Sequence, residues 1–191
     1  MTTGNDISIA LLQLQPGRAV PDVGVGTGLS HAPLRAGVGG TGRVLAFGQR
    51  PDMFALAQQR VQREGWANVW HASAAAETVQ LPVLADAVLV NHTHDICRSP
   101  AAVAVAVAVA NILRQVKPGA RVAMAGIKDF PWWTGPLDLL ARLKGRPCKA
   151  RAADLSEPWI RLTAPCKDFR WNSTQWGMGY IASATLKGAP R

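Results

Sequence analysis

Three glycines at every second position, directly behind a short apolar run and an acid, constrain this chain more than any other feature. The stretch reads Val20-Pro21-Asp22-Val23-Gly24-Val25-Gly26-Thr27-Gly28. Glycine has no Cβ, so the backbone can turn tightly there and a ligand can lie directly against it. A strand that ends this way and feeds a helix forms the ligand-binding edge of an open α/β sheet. A dinucleotide fingerprint is spaced G-x-G-x-x-G. Here the third glycine, Gly28, arrives one residue too early for that pattern.

The rest of the chain supplies the elements such a sheet needs. Ile7–Leu14 reads as a short helix or entry arm. Ala19–Val23 is the first strand, although Pro21 has no amide to give to a ladder. Leu29–Val38 starts a helix after the glycine turn, and Gly39-Gly40-Thr41-Gly42 ends it. Arg43–Phe47 is the second strand, and Pro51–Glu64 a helix with proline in its first turn. In that helix Met53, Leu56, Ala57 and Arg60-Val61 follow a 3–4 spacing. Asn68–Ala72 and Ala85–Val90 are the third and fourth strands. Lys117-Pro118-Gly119 is a turn ahead of the strand Ala120–Ala125, and Gly177–Leu186 is the last strand. The order βαβαβ…βαβ demands parallel strands with right-handed crossovers.

One segment is ambiguous. Ala101–Ala110 alternates Ala and Val, which is a strand's period. Ser99-Pro100 ahead of it is an N-cap and N1 pair, alanine is the best helix former, and the fold needs a helix here. The reading is a helix, apolar nearly all round, buried against the sheet or against a second copy of the chain.

At 191 residues and 48% hydrophobic, the chain has material for one globular domain with a sizeable core. Met1–Asp6 is polar, without the basic and apolar regions of a secretion signal, and Ala101–Ala110 is too short to span a bilayer. Cys97, Cys148 and Cys166 are far apart and form no C-x-x-C pair, so neither a zinc site nor a disulfide framework is suggested. The expectation is a cytoplasmic protein with reduced thiols. The net charge of +9 is uneven: residues 1–113 carry 7 basic and 7 acidic side chains, residues 114–191 carry 14 and 5. That asymmetry fits an anionic substrate near the C-terminal half or a merely solvated basic face. Nucleic-acid binding would rest on charge alone and is not the reading adopted.

The glycine turn resembles motif I of the class I S-adenosylmethionine (SAM)-dependent methyltransferases, D-x-G-x-G-x-G. Lys117-Pro118-Gly119-Ala120-Arg121-Val122 is similar to the turn before that family's fifth strand. His94-Asp95-Ile96-Cys97-Arg98-Ser99-Pro100, with Lys128 and Pro131-Trp132-Trp133, resembles a bacterial subgroup of small methyltransferases. The resemblance implies a Rossmann-like fold with a seven-stranded, mostly parallel sheet and helices on both faces. Within one domain, 1–18 would be an arm, 19–126 the cofactor core and 127–191 the substrate side and last strands. It also implies SAM as cofactor, held by Asp22, Gly24, Gly26, Thr27 and Gly28, with Asn91 beside the methyl donor.

Two positions depart from the family pattern. The second strand there ends in an acid that accepts both ribose hydroxyls; the matching residue, twenty after Gly28, is Gly48. Losing a charged hydrogen bond of that kind costs about 1.5–3 kcal/mol. Gln49 can replace it in part. The loop after the third strand has an acid near the adenine in the family, and the resemblance matches that position to Ser73. These losses leave open a methyltransferase-like protein with weak or no SAM binding, acting as an isomerase, a cyclase or a binding partner. They also leave open an NADP-dependent oxidoreductase, with Arg50 meeting the 2′-phosphate.

Methyl transfer from a sulfonium needs proximity and, for a hydroxyl or acidic carbon acceptor, a base. The segment Asn91-His92-Thr93-His94-Asp95 follows the fourth strand at the ligand edge. His94 beside Asp95 is the preferred base and His92 the second choice, because imidazole titrates near neutrality. The alternative is a helix cap and a packed ring. As a metal site, the H-x-H pair lacks an evident third ligand. Trp132 and Trp133 could wall an aromatic or lipid-like acceptor and Lys128 could meet an anion, or the tryptophans could roof the core. Tyr180 reads as a core residue. The substrate expected is a small metabolite, anionic or aromatic.

Overall fold

The computed structural model describes residues 4–91, 102–127, 164–174 and 179–187. In chain order the elements are α1 (Gly4–Leu11), β1 (Ala19–Val23), α2 (His31–Val38), β2 (Arg43–Gly48), α3 (Pro51–Arg63), β3 (Val69–Ser73) and β4 (Ala85–Asn91). They continue with α4 (Ala102–Arg114), β5 (Val116–Ile127), β6 (Cys166–Thr174) and β7 (Gly179–Leu186). One seven-stranded sheet has the order β3-β2-β1-β4-β5-β7-β6. The first five strands in that order are parallel, and β7 joins β5 and β6 antiparallel. The strand order reverses between β1 and β4, which is where an open α/β sheet makes its crevice.

Alternation along the strands sorts the core into two faces. Val20, Val44, Leu89 and Ala123 pack with Ile9 and Leu12 of the N-terminal arm and Leu34 and Val38 of α2. Val23, Phe47, Val88, Val122 and Met124 pack on the other face with Ala108 and Ile112 of α4. The Ala/Val segment is thus helical: helix propensity and the need for a crossover outweigh its strand-like alternation. In α3 the buried positions are Phe54 and Ala57, while Leu56 is half exposed, so the helix faces the sheet one residue off the expected register.

Pro21 lies inside the central strand β1, and the geometry explains why it is tolerated. The amides of Ala19 and Gly24 point to opposite sides: Ala19 N donates to Asp86 of β4, and Gly24 N to the Phe47 carbonyl of β2. Residue 21 therefore presents its missing donor toward β4, as Ala19 does. The β1–β4 register starts only at Asp22, so the proline removes no bond from that ladder.

The turn expected at Lys117-Pro118-Gly119 is an irregularity within β5. Val116 pairs with Ala85, but Arg121 already pairs with Ala87, so the intervening residues loop out. Gly119 supplies a φ of +79° there. Asp86, between the two paired residues, anchors the loop: its Oδ1 accepts from Lys117 Nζ at 2.8 Å and from Arg18 at 2.9 Å. Burial pushes this carboxyl up, but the Ala19 amide, Lys117 and Arg18 together hold it below the usual range. Among the described residues, no helix is long and apolar enough to cross a membrane.

Candidate cofactor site

A cavity of about 780 Å³ opens at the carboxyl ends of β1, β2, β4 and β5. Asp22, Gly24, Val25, Gly26 and Thr27 form one wall, and Phe47, Gly48, Gln49 and Arg50 a second. Asn91 ends β4 against it, and Ala125, Gly126 and Tyr180 close the far side. Gly126 has no room for a side chain, because a Cβ there would stand 2.9 Å from the Tyr180 ring. Tyr180 is therefore buried and also a cavity wall.

The glycine turn is held in a conformation that other residues rarely adopt. Gly24, Gly26 and Gly28 have φ of +74°, +53° and +76°. The amides of Gly24 and Val25 both donate to the Phe47 carbonyl at 3.0 Å, folding the turn over the end of β2. Val25 is tucked against Phe54 and Ala57 of α3. Gly28 does not line the cavity. Its missing Cβ leaves room for His31, whose Nδ1 would lie 2.8 Å away, and for the Ala57 backbone at 3.2 Å. Two of the three glycines thus shape the cavity, and the third lets α2 and α3 pack behind it.

Asp22 is nearly inaccessible, and its Oδ2 has no hydrogen-bond partner among the described residues. Burial raises its pKa to about 7. His31 Nε2 is 3.9 Å from that oxygen, too long for a hydrogen bond. Burial, then the charges of His71 and Arg60, lower His31 to about 4. At neutral pH the imidazole is uncharged, so the two groups are neighbours rather than an ion pair. The His31 and His71 ring centroids are 5.2 Å apart, and burial lowers His71 as well. No described residues form a cluster that could hold a metal ion.

Helix α1, read from the sequence only as an entry arm, is part of the site. Gly4, Asn5 and Asp6 line the cavity. Asn5 Oδ1 accepts from Asn91 Nδ2 and from Ser30 Oγ. Asn91 Nδ2 also reaches Ser8 Oγ at 2.8 Å, and Ser8 Oγ donates to the Asn5 carbonyl at 2.9 Å. This network ties the arm to the glycine turn and to the end of β4. Nothing in the sequence marked Asn5 or Ser30; an N-terminal polar residue shows its role only once the arm is placed.

The end of β2 carries no acid. Gly48, Gln49 and Arg50 line the cavity, and Arg50 pairs with Asp52 at 2.7 Å on the surface. A Cβ at Gly48 would meet Val25 Cγ1 at 3.3 Å, so the Val25 side chain crowds the place an acid would leave from. Ser73 is exposed and absent from the cavity lining; Ala74 and Ala76 take its place there. His92, His94, Asp95, Lys128, Trp132 and Trp133 lie outside the described residues.

A family model described as "Methyltransferase domain" matches residues 20–119. The chain belongs to this family. Solved structures agree with the fold. A SAM-dependent methyltransferase from Aquifex aeolicus is 20% identical with a TM-score of 0.68, covering 95% of this chain and 89% of its own. The N-methyltransferase NodS from Bradyrhizobium japonicum, in complex with S-adenosylhomocysteine, is 16% identical with a TM-score of 0.67, covering 94% and 84%. An rRNA methylase from Streptococcus thermophilus is 15% identical with a TM-score of 0.64, covering 98% and 99%.

S-adenosyl-L-methionine is the cofactor that goes with this family. The residues present fit it at the glycine turn. There the backbone is bare, and two buried acceptors of cavity residues, Asp22 Oδ2 and Asn91 Oδ1, have no hydrogen-bond partner among the described residues. Those acceptors suit the ammonium of an amino-acid moiety. At the end of β2 the fit is by shape, without a carboxylate.

Proposed function

We propose that this chain transfers a methyl group from SAM to a small metabolite, anionic or aromatic, within the general class of methyltransferases. The observation that carries this reading is the left-handed glycine turn over a cavity that also holds the orphaned acceptors of Asp22 and Asn91. When bound, the cofactor supplies an electrophilic methyl group. Gly24, Gly26 and Thr27 would lie along its amino-acid part, and Gln49 beside its ribose. Asn91, fixed by Asn5 and Ser8, would orient the ammonium end. The first-choice base for an acceptor hydroxyl or acidic carbon is His94, oriented by Asp95, with His92 second. Lys128, Trp132 and Trp133 are assigned to the acceptor. Membrane insertion and nucleic-acid substrates are not part of this reading, and a homodimer is compatible with it.

The acid-free end of β2 favours a second reading, in which the fold is kept and SAM binding is weak or lost. Calorimetric titration with SAM, S-adenosylhomocysteine and NADPH separates the two. Micromolar binding of SAM or its product supports transfer, and His94→Gln should then lower kcat by about 10²–10⁴-fold. A folded protein that binds neither sinks the methyltransferase reading, and NADPH binding alone moves it to reduction.

A further inference from the structure

We propose that the β2 end of the cavity is a phosphate-accepting end. The chain would then bind adenosine ligands with a 2′- or 3′-phosphate on the ribose more tightly than those with free hydroxyls. The inference rests on the reading that this cavity takes the adenosyl group of SAM with its ribose against Gly48.

Three observations carry it. First, among the described residues the charged side chains lining the cavity are Asp6, Asp22 and Arg50, and of these Arg50 belongs to the β2 end. Where a carboxylate would accept ribose hydroxyls, this end offers a guanidinium and the neutral Gln49. Second, a side chain at residue 48 would crowd Val25, whose Cγ1 stands 3.3 Å from where a residue-48 Cβ would lie and would have to give way by a few tenths of an ångström. Val25 is itself buried under α3, so the departure is built into the packing. Third, Arg50 forms an exposed ion pair with Asp52. Its Nη2 and Nε donate to Asp52 at 2.7 and 3.3 Å, with both side chains more than half exposed. An exposed pair of this kind contributes little. A phosphate matches the planar fork of a guanidinium and would compete with Asp52 for these donors. Among the described residues, the cavity lining at this end gives a ribose with free hydroxyls no carboxylate. Phosphorylated adenosine nucleotides would therefore compete with SAM for the cavity.

The test is calorimetric titration of the intact protein with adenosine, adenosine 2′-monophosphate, adenosine 3′-monophosphate and adenosine 5′-monophosphate, with S-adenosylhomocysteine run alongside. The 2′ and 3′ arms decide which hydroxyl carries the phosphate, and the 5′ arm controls for charge alone. The expected result is at least tenfold tighter binding of the 2′- or 3′-monophosphate than of adenosine, with no such gain for the 5′ compound. Arg50→Gln should remove most of that gain, which appears as a change in the ratio of the two affinities. Equal affinities in the 2′, 3′ and adenosine arms overturn the proposal, as does a gain that survives Arg50→Gln. Binding of S-adenosylhomocysteine with no phosphate gain refutes this inference and leaves the cofactor reading standing. A phosphate gain without S-adenosylhomocysteine binding does the reverse, and no binding in any arm refutes both.

Discussion

Replacing Asp22 by Asn should change the pH dependence of folding stability in a direction opposite to the usual carboxylate. Burial raises the Asp22 pKa from 3.8 to about 7, so between those values the folded chain keeps a proton that the unfolded chain has lost. The contribution is fully present below pH 3.8 and is lost as pH rises through 7, with a slope of about 1.4 kcal/mol per pH unit. His31 works against it. Its pKa falls from 6.5 to about 4, so its contribution is present above pH 6.5 and is lost as pH falls through 4. The two slopes nearly cancel in the wild type between pH 4 and 6.5. Asp22 is not among the causes of the His31 shift, so the His31 contribution drops out of the difference between wild type and Asp22→Asn. That difference should move by about 2–3 kcal/mol against the wild type between pH 5 and pH 8. Urea unfolding of both proteins across that range, followed by circular dichroism, measures it. A difference that stays constant with pH would refute the argument, because it would mean that Asp22 ionises in the fold as it does in water.

Further outcomes follow from the same geometry. If the ammonium of the ligand meets ionised Asp22, S-adenosylhomocysteine affinity should rise up to tenfold per pH unit below 7 and level off above it; titration at several pH values shows this, and the Asn variant should be flat. Gly28→Ala should destabilise by about 1–3 kcal/mol, since it combines a left-handed φ with a contact 2.8 Å from the His31 ring; thermal unfolding reads it directly. Asn5→Ala removes the acceptor shared by Asn91 and Ser30, and should cost about 1–3 kcal/mol and increase hydrogen exchange in the N-terminal arm. Asp86→Ala should cost about 1–3 kcal/mol, chiefly because the Ala19 amide loses its partner; unfolding in 0.1 M and 1 M salt should give a similar loss, since that bond is not an ion pair.

The parallel half of the sheet was legible because its residues carry redundant signals. Apolar runs such as Val44-Leu45-Ala46-Phe47 have to be buried on both faces, and proline or glycine marks the elements between them. The seventh strand was legible for the same reason. The sixth was not: Cys166–Thr174 is an edge strand with mostly exposed residues, and its Lys167-Asp168-Phe169-Arg170 carries no period-2 pattern. Its irregular register around Asp168, at a φ of +54°, shows why alternation fails there. Local signals also could not show that Ser73 turns outward, or that Leu56 of α3 faces solvent. Those depend on how β3 and α3 are rotated against their neighbours. In the site, the glycine turn was readable one residue at a time, whereas the Asn5–Asn91 network joins positions 86 apart and exists only in three dimensions.

The glycine turn and the missing acid then have a common physical cause. Val25 is the side chain between the first two glycines, and it has to be buried somewhere once the turn folds over Phe47. It goes under α3 against Phe54 and Ala57, and in doing so occupies the space beside residue 48. A glycine at 48 accommodates that packing; any larger residue has to displace Val25 by a few tenths of an ångström or more. Interiors packed this closely resist such shifts. Positions 25 and 48 should therefore be substituted together. Gly48→Asp alone is expected to lower stability. Paired with Val25→Ala, which opens the space, it should raise S-adenosylhomocysteine affinity by roughly tenfold or more, the scale of a charge-assisted hydrogen bond. If the double variant folds and binds no better than the wild type, the ribose does not lie against residue 48, and the orientation argued for the cofactor is wrong.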